Sequence, residues 1–234
     1  SRLEGIEKVV LFGLQYFIKR FILEDFEDNF CKQPKAEVIA KYERRINNYL
    51  GPNSVGTKHI EDLHDLGYIP MVIKALPEGV SVPIRVPMFT LYNSKPEFFW
   101  LSNYFETLIS TTVWMPCNSA TIGKTYRNIL DKYAQETSSV PEFVDWQGHD
   151  FSMRGMAGLE AAQMSAAAHL LSFSGSDTVP AIDFLEQYYN ANSDTELVGG
   201  GVAATEHSVM CMGTNEGEIN TFKRLITKVY PNGI

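Results

Sequence analysis

Three short stretches hold the residues best suited to chemistry. The first is Gly148-His149-Asp150-Phe151-Ser152-Met153-Arg154-Gly155, which packs two acid/base-capable groups, a ring and a cation between glycines. Arg154 beside Phe151 suits a flat, electron-poor ligand or a phosphate. The structural alternative, less favoured by the pattern, is an ion pair with Asp150 or Asp177. His149 and Asp150 are both metal-ligand types, but neighbours on a strand point to opposite faces, which argues against a shared ion. The second stretch is Phe173-Ser174-Gly175-Ser176-Asp177-Thr178. Here Asp177 or Thr178 either caps the helix that follows or, for Asp177, faces a pocket and favours a neutral ligand that donates hydrogen bonds. The third runs Val198-Gly199-Gly200-Gly201-Val202-Ala203-Ala204-Thr205-Glu206-His207-Ser208. Its glycines allow close backbone approach, its small residues leave room for a ligand, and His207 is a candidate base or nucleophile. The glycines form neither a dinucleotide fingerprint nor a phosphate loop, since no Gly-Lys-Ser/Thr follows. His59, His64 and His169 have no such setting and read as packing or surface residues.

The elements that must position these residues follow from periodicity. Beyond a polar hinge at Thr137-Ser138-Ser139-Val140-Pro141-Glu142, strand and helix alternate: 143–150 then 158–168, 169–174 then 178–190, 200–206 then 215–229. Alternation of this kind implies parallel strands joined by crossover helices, with functional residues at the carboxyl ends of the strands. The hinge suggests a boundary between an N-terminal α+β domain, 1–140, and an incomplete (β/α) barrel, 141–234. The fold class expected is therefore α/β. In the first part, 4–23 reads as a helix with a wide apolar face, and Pro34–Tyr49 and His59–Leu66 as further helices. Three short strands follow at 71–76, 80–85 and 88–92, with Pro83 marking an edge or bulge. An aromatic helix follows Pro96 and a separate helix follows Pro116. Three β/α units do not close an eight-stranded barrel, and the first residues are Ser1-Arg2 without Met, so a longer parent chain is expected at both ends.

Composition narrows the classes. The chain has 234 residues, 44% of them hydrophobic, enough for a core that needs no disulfide staples. Its formal net charge of -8 opposes nucleic acid and anionic membrane as partners. Cys31, Cys117 and Cys211 are far apart in sequence, which argues against a disulfide framework or zinc knuckle and fits a reducing, cytoplasmic setting. No run of about 18 apolar residues exists, and the N-terminal stretch lacks a signal-peptide pattern.

Taken together, His149-Asp150-Phe151-x-x-Arg154-Gly155, Phe173-x-Gly175-x-Asp177-Thr178-Val179 and Ala204-x-Glu206-His207-Ser208 resemble the nicotinate/nicotinamide phosphoribosyltransferase family, the type II phosphoribosyltransferases. Phe12-Gly13-Leu14-Gln15-Tyr16, Ile73-Lys74-Ala75-Leu76-Pro77-Glu78-Gly79 and Trp100-Leu101-Ser102-Asn103-Tyr104-Phe105-Glu106-Thr107 extend the likeness over nearly the whole chain. The resemblance implies transfer of phosphoribosyl from phosphoribosyl pyrophosphate to nicotinamide, giving nicotinamide mononucleotide and pyrophosphate in NAD salvage. It implies that Phe151 stacks on the pyridine ring, that Asp177 accepts the carboxamide N–H, and that Arg154 contacts the base and the phosphate-bearing group. Gly201, Val202 and Ala204 would line the passage for the base, and His207 would be the histidine that ATP phosphorylates. Mg²⁺ would accompany the pyrophosphate, with no metal ligand expected from this chain, and a homodimer would share active sites. Since a second carboxylate beside Asp177 is unfavourable, nicotinamide is expected over nicotinate. The family's ribose- and phosphate-binding residues lie on later strands, so residues 1–234 alone are expected to be inactive. The competing readings are a nicotinate phosphoribosyltransferase, a non-catalytic fragment that keeps the base pocket or a dimer surface, and a metal-dependent (β/α) hydrolase using His149 and Asp150.

Overall fold

The computed structural model describes residues 4–233. In chain order the regular elements are β1 (Lys8–Val10), α1 (Leu14–Phe17), α2 (Lys35–Leu50), α3 (Lys58–Leu66), β2 (Met71–Ala75), β3 (Ser81–Pro83), β4 (Phe89–Asn93), α4 (Leu101–Thr137), β5 (His149–Asp150), α5 (Leu159–His169), β6 (Gly175–Ser176), α6 (Pro180–Tyr189), α7 (His207–Met212) and α8 (Thr214–Arg224). The class is mixed α/β, mostly helical with small sheets. The described residues part into two units at Gly199/Gly200. The Thr137–Glu142 hinge lies inside the first unit, where α4 ends and a 3-10 turn, Pro141–Trp146, begins.

The N-terminal apolar run is not one helix. Val9 and Val10 are β-branched and pair as β1, antiparallel to β3, with Val9 opposite Val82. Gly13 then takes φ +100, and only after it does the helix start; π-helical turns carry it on through Cys31. A short apolar run satisfies either period, so local pattern could not choose. The Glu78 carboxylate accepts hydrogen bonds from the Gly13 and Gln15 amides, at 2.7 and 2.5 Å, and so satisfies free N–H groups at the start of α1.

The three strands at 71–93 do not form a meander. β2 pairs with β4 in an antiparallel register from Met71↔Asn93 to Ala75↔Phe89, while β3 leaves to pair with β1. The cause is the Pro77-Glu78-Gly79 turn. Its Gly79 amide donates to the Leu11 carbonyl at 2.8 Å and directs the chain toward β1. Likewise the two helices expected after Pro96 and Pro116 are one, α4, with Pro116 inside it. An internal proline removes a hydrogen bond and crowds the preceding turn. Here it is fully buried against Gly13, and the buried series Phe105, Ile109, Val113, Cys117 and Ala120 holds both halves of the helix in register with the core. Of the aromatic residues around Pro96, Phe98 and Phe105 are core, whereas Phe99 and Tyr104 are exposed.

Alternation beyond the hinge does produce parallel pairing: His149 faces Gly175 and Asp150 faces Ser176, with α5 as the connection. β5 is only the last two residues of the 143–150 span, and β6 lies just beyond 169–174, which holds the end of α5 and a turn. Val144 belongs to the 3-10 turn and packs on Ala134 and Phe173, and the amides of Ser172 and Phe173 bond back to the His169 carbonyl. Residues 201–206 carry no strand. Parallel strands gain their length from neighbours on both edges, and β5 and β6 have only each other among the described residues. The alanines of α5 let it pack closely on α4, where Ser119 and Ser165 hydroxyls meet at 3.1 Å. Val10, Phe12, Tyr16, Ala120, Met164, Ala167, Ala168, Phe184 and Tyr188 form one cluster, which joins β1 and α1 to α4, α5 and α6. No helix of the described residues is long and apolar enough to cross a membrane.

Candidate functional site at the ends of β5 and β6

Asp150 organises the site from within. It is buried, and its carboxylate accepts the Ser176 hydroxyl at 3.0 Å, the Thr178 hydroxyl at 2.6 Å, the Ser152 hydroxyl, and the Ser152 amide at 3.3 Å. Its carbonyl also accepts the Asp177 amide, at 2.9 Å. One side chain thereby ties the loop bearing Phe151 and Arg154 to the loop bearing Asp177. Burial by itself raises a carboxyl's pKa, but here the donors Ser152, Thr178 and Ser176 outweigh it and hold Asp150 below the ordinary range.

A folded pKa below the unfolded one, about 3.9, contributes stability that is complete above the unfolded value and is lost as pH falls through the folded value. We therefore expect Asp150→Asn to cost about 2 kcal/mol at pH 7, as a charged acceptor of several hydrogen bonds is lost. The cost should shrink below about pH 4. Chemical denaturation at pH 7 and pH 3 checks this; an equal loss at both would contradict it.

His149 points to the other face of β5. Its Nε2 lies 2.7 Å from Asp177 Oδ1, and its ring centroid lies 5.0 Å from that of Phe151, tilted by 48°. Phe151, Arg154 and Asp177 are all exposed. Among the described residues Arg154 makes no ion pair: Asp150 is taken by hydroxyls and Asp177 by His149. Neither Asp177 nor Thr178 caps α6 with its side chain, because the Thr178 hydroxyl is spent on Asp150. The structure thus brings Phe151 and Asp177 to one imidazole.

Beside β5 a cavity of about 560 Å³ is lined by Gly148, His149, Asp150, His169 and Phe173 and by Ile122 and Tyr126 of α4. Phe151 and Asp177 do not line it. His169 is a packing residue, as expected: it stacks on Phe173 and donates to the Gly148 carbonyl at 3.2 Å. Burial pushes its pKa below the ordinary histidine value.

In the second unit His207 is the first residue of α7, and its side chain is exposed. Glu206 caps this helix by accepting the Ser208 amide at 2.7 Å, and the Ser208 side-chain and backbone hydrogen bonds lower its carboxyl's pKa. Gly201, Val202 and Ala204 are exposed in the irregular segment before it.

Sequence reasoning named Phe151, Arg154, Asp177 and His207 as candidates, but it did not foresee Asp150 as a hub or His149 as the neighbour of Asp177. The available signal was the set of hydroxyls at 152, 176 and 178 around a lone buried-type carboxylate. Ser152 reaches Asp150 locally, but bringing Ser176 and Thr178 to it required the register of β5 on β6.

Residues 146–229 match the model of the nicotinate phosphoribosyltransferase (NAPRTase) family. Over 97% of its length the chain is 51% identical to a protein of Acinetobacter baylyi named nicotinamide phosphoribosyltransferase, covering 45% of that protein. Proteins of the same name from Mycoplasma pneumoniae and Xanthomonas campestris are 35% and 30% identical over 92% and 95% of the chain, covering 48% and 45% of their own lengths. The chain spans about half the length of the curated relatives it matches.

Proposed function

We propose, on the premise that this chain shares the family of the nicotinate and nicotinamide phosphoribosyltransferases, that it carries the base-recognising part of a nicotinamide phosphoribosyltransferase. The whole reaction joins nicotinamide to the ribose of phosphoribosyl pyrophosphate and releases pyrophosphate, as a step of NAD salvage. The observation that supports base recognition is the parallel pairing of β5 with β6. Phe151 and Asp177 each follow directly on a paired residue, at one end of this sheet, and both side chains are more than half exposed to a ligand. A ring face offers stacking to a flat heterocycle, and a carboxylate beside it accepts the N–H of an amide. Arg154, on the same loop and without an ion pair among the described residues, contacts the base and the phosphate-bearing group.

The same pairing supports reading 141–234 as the first units of a (β/α) barrel behind an α+β domain over 1–140. By resemblance, Gly201, Val202 and Ala204 line the passage for the base, and His207 takes a phosphoryl group from ATP, leaving ADP. Positioning and electrostatics would supply most of the rate of such a transfer. Mg²⁺ enters with the pyrophosphate as part of the substrate. No three His, Cys, Asp or Glu side chains converge as a metal site among the described residues, and no step is assigned to a protein-held ion. A homodimer, a cytoplasmic setting and lack of turnover by residues 1–234 alone complete the proposal.

Titration of nicotinamide into the purified chain by calorimetry tests the central claim. We expect binding that Phe151→Ala weakens at least about tenfold, as loss of an aromatic stacking face implies. Absence of binding by the wild type, or an unchanged affinity in the variant, refutes it. Incubation with phosphoribosyl pyrophosphate, ATP and Mg²⁺ tests the rest: formation of nicotinamide mononucleotide by the chain would overturn the expected inactivity. The family model's own name favours a second reading, nicotinate as substrate, and the Asp177 comparison below separates the two.

A further inference from the structure

We infer that His149 is a specificity-determining positioning residue, which holds the Asp177 carboxylate in the orientation that selects an amide over an acid. This rests on the reading of Asp177 as the base acceptor. Three observations carry it. First, His149 Nε2 lies 2.7 Å from Asp177 Oδ1; a carboxylate oxygen only accepts, so the imidazole donates. Second, the ring is fixed. Its partner in the β5/β6 register is Gly175, where a Cβ would stand 2.5 Å from His149 Nδ1, so the imidazole occupies space that only glycine leaves. Third, exposure differs within the group: the His149 side chain is 16% exposed and that of Asp177 57%. The inner residue is the scaffold and the outer one the reader. The Phe151 ring, 5.0 Å from the imidazole, completes the corner.

With Oδ1 held by His149, Oδ2 has no partner among the described residues and remains as the acceptor, pointed by His149 instead of by solvent. A carboxamide N–H meets it favourably, and a carboxylate ligand does not. Without the donor, an exposed Asp177 rotates freely and the contrast between the two ligands weakens.

The test uses the chain itself. Imidazole ¹⁵N spectra are recorded for wild type and Asp177→Ala, and affinities for nicotinamide and nicotinate are measured by calorimetry for wild type, His149→Phe and His149→Gln. The Phe variant keeps a ring beside Phe151 without the donor, and Gln keeps an N–H near the Nε2 position. We expect the His149 Nε2 resonance to move in Asp177→Ala. The nicotinamide-to-nicotinate affinity ratio should fall about tenfold in His149→Phe and stay within about threefold of wild type in His149→Gln, the size expected for one charge-assisted hydrogen bond. A resonance unmoved by Asp177→Ala overturns the inference whether or not His149 variants fold. So does a wild-type ratio in His149→Phe. A wild type that itself fails to prefer nicotinamide refutes the base reading of Asp177, and the inference with it. That failure is recognisable because it appears before any substitution at His149.

Discussion

On the proposed base-recognising role, Asp177→Asn is expected to lower the preference for nicotinamide over nicotinate by roughly 30-fold, chiefly by letting nicotinate in. A carboxylate facing a second carboxylate at about 4 Å experiences a repulsion of about 4 kcal/mol in partly screened surroundings. Asp177 is more than half exposed, so solvent reduces this to about 2 kcal/mol, or roughly 30-fold. Asparagine keeps the shape and the acceptor toward His149 Nε2, so the loop should stay in place, held by the Asp177 amide on the Asp150 carbonyl. The change therefore isolates charge. Calorimetric titration of both ligands into wild type and variant reads the ratio directly. A ratio within about threefold of wild type would show that the carboxylate's charge does not discriminate, and would move weight to the nicotinate reading.

Gly13→Ala destabilises the fold by roughly 3–4 kcal/mol, the largest single stability effect expected from the structure. Two costs add. The backbone at φ +100 is one that L side chains rarely adopt, worth about 1–2 kcal/mol. The new Cβ would also stand 2.7 Å from Pro116 Cγ, inside the buried seam between α1 and α4, where overpacking costs about 1–3 kcal/mol. Pro116 is part of a ring on a helix and cannot swing aside. For a chain of this size the loss corresponds to a melting point lower by about 10 °C. Gly67→Ala is the matched control: φ is +73 at the end of α3, and nothing lies within 4 Å of a Cβ there. A melting-point drop in Gly13→Ala no larger than in Gly67→Ala would remove the steric half of the argument. The effect reaches the site's support, because Phe12, next to Gly13, stacks on Tyr189 at the end of α6 with ring centroids 4.8 Å apart.

Much of the architecture was legible in the order of residues. The bounds of α2, α3, α5 and α6 follow from apolar spacing and from Pro and Gly at their ends, because capping and side-chain periodicity act within a few residues. Alternation of strand and helix was enough to predict that β5 and β6 run parallel. It also placed Phe151 and Asp177 at strand ends, where a rigid sheet supports exposed loops. What only tertiary structure decided were competitions between local and distant partners. Val9 and Val10 satisfy a helical stripe as well as a strand, and β3, far along the chain, chose the strand. Pro116 reads as a helix stop, yet Gly13 leaves a space for it and the core carries α4 past it. Asp150 became the hub once the β5/β6 register added the hydroxyls of Ser176 and Thr178 to the local one of Ser152, and His149 became the neighbour of Asp177 once Gly175 lay opposite it. Side chains in sequence carry their chemistry with them, but which groups neutralise one another depends on contacts closed over long loops, and those form only with the packed fold.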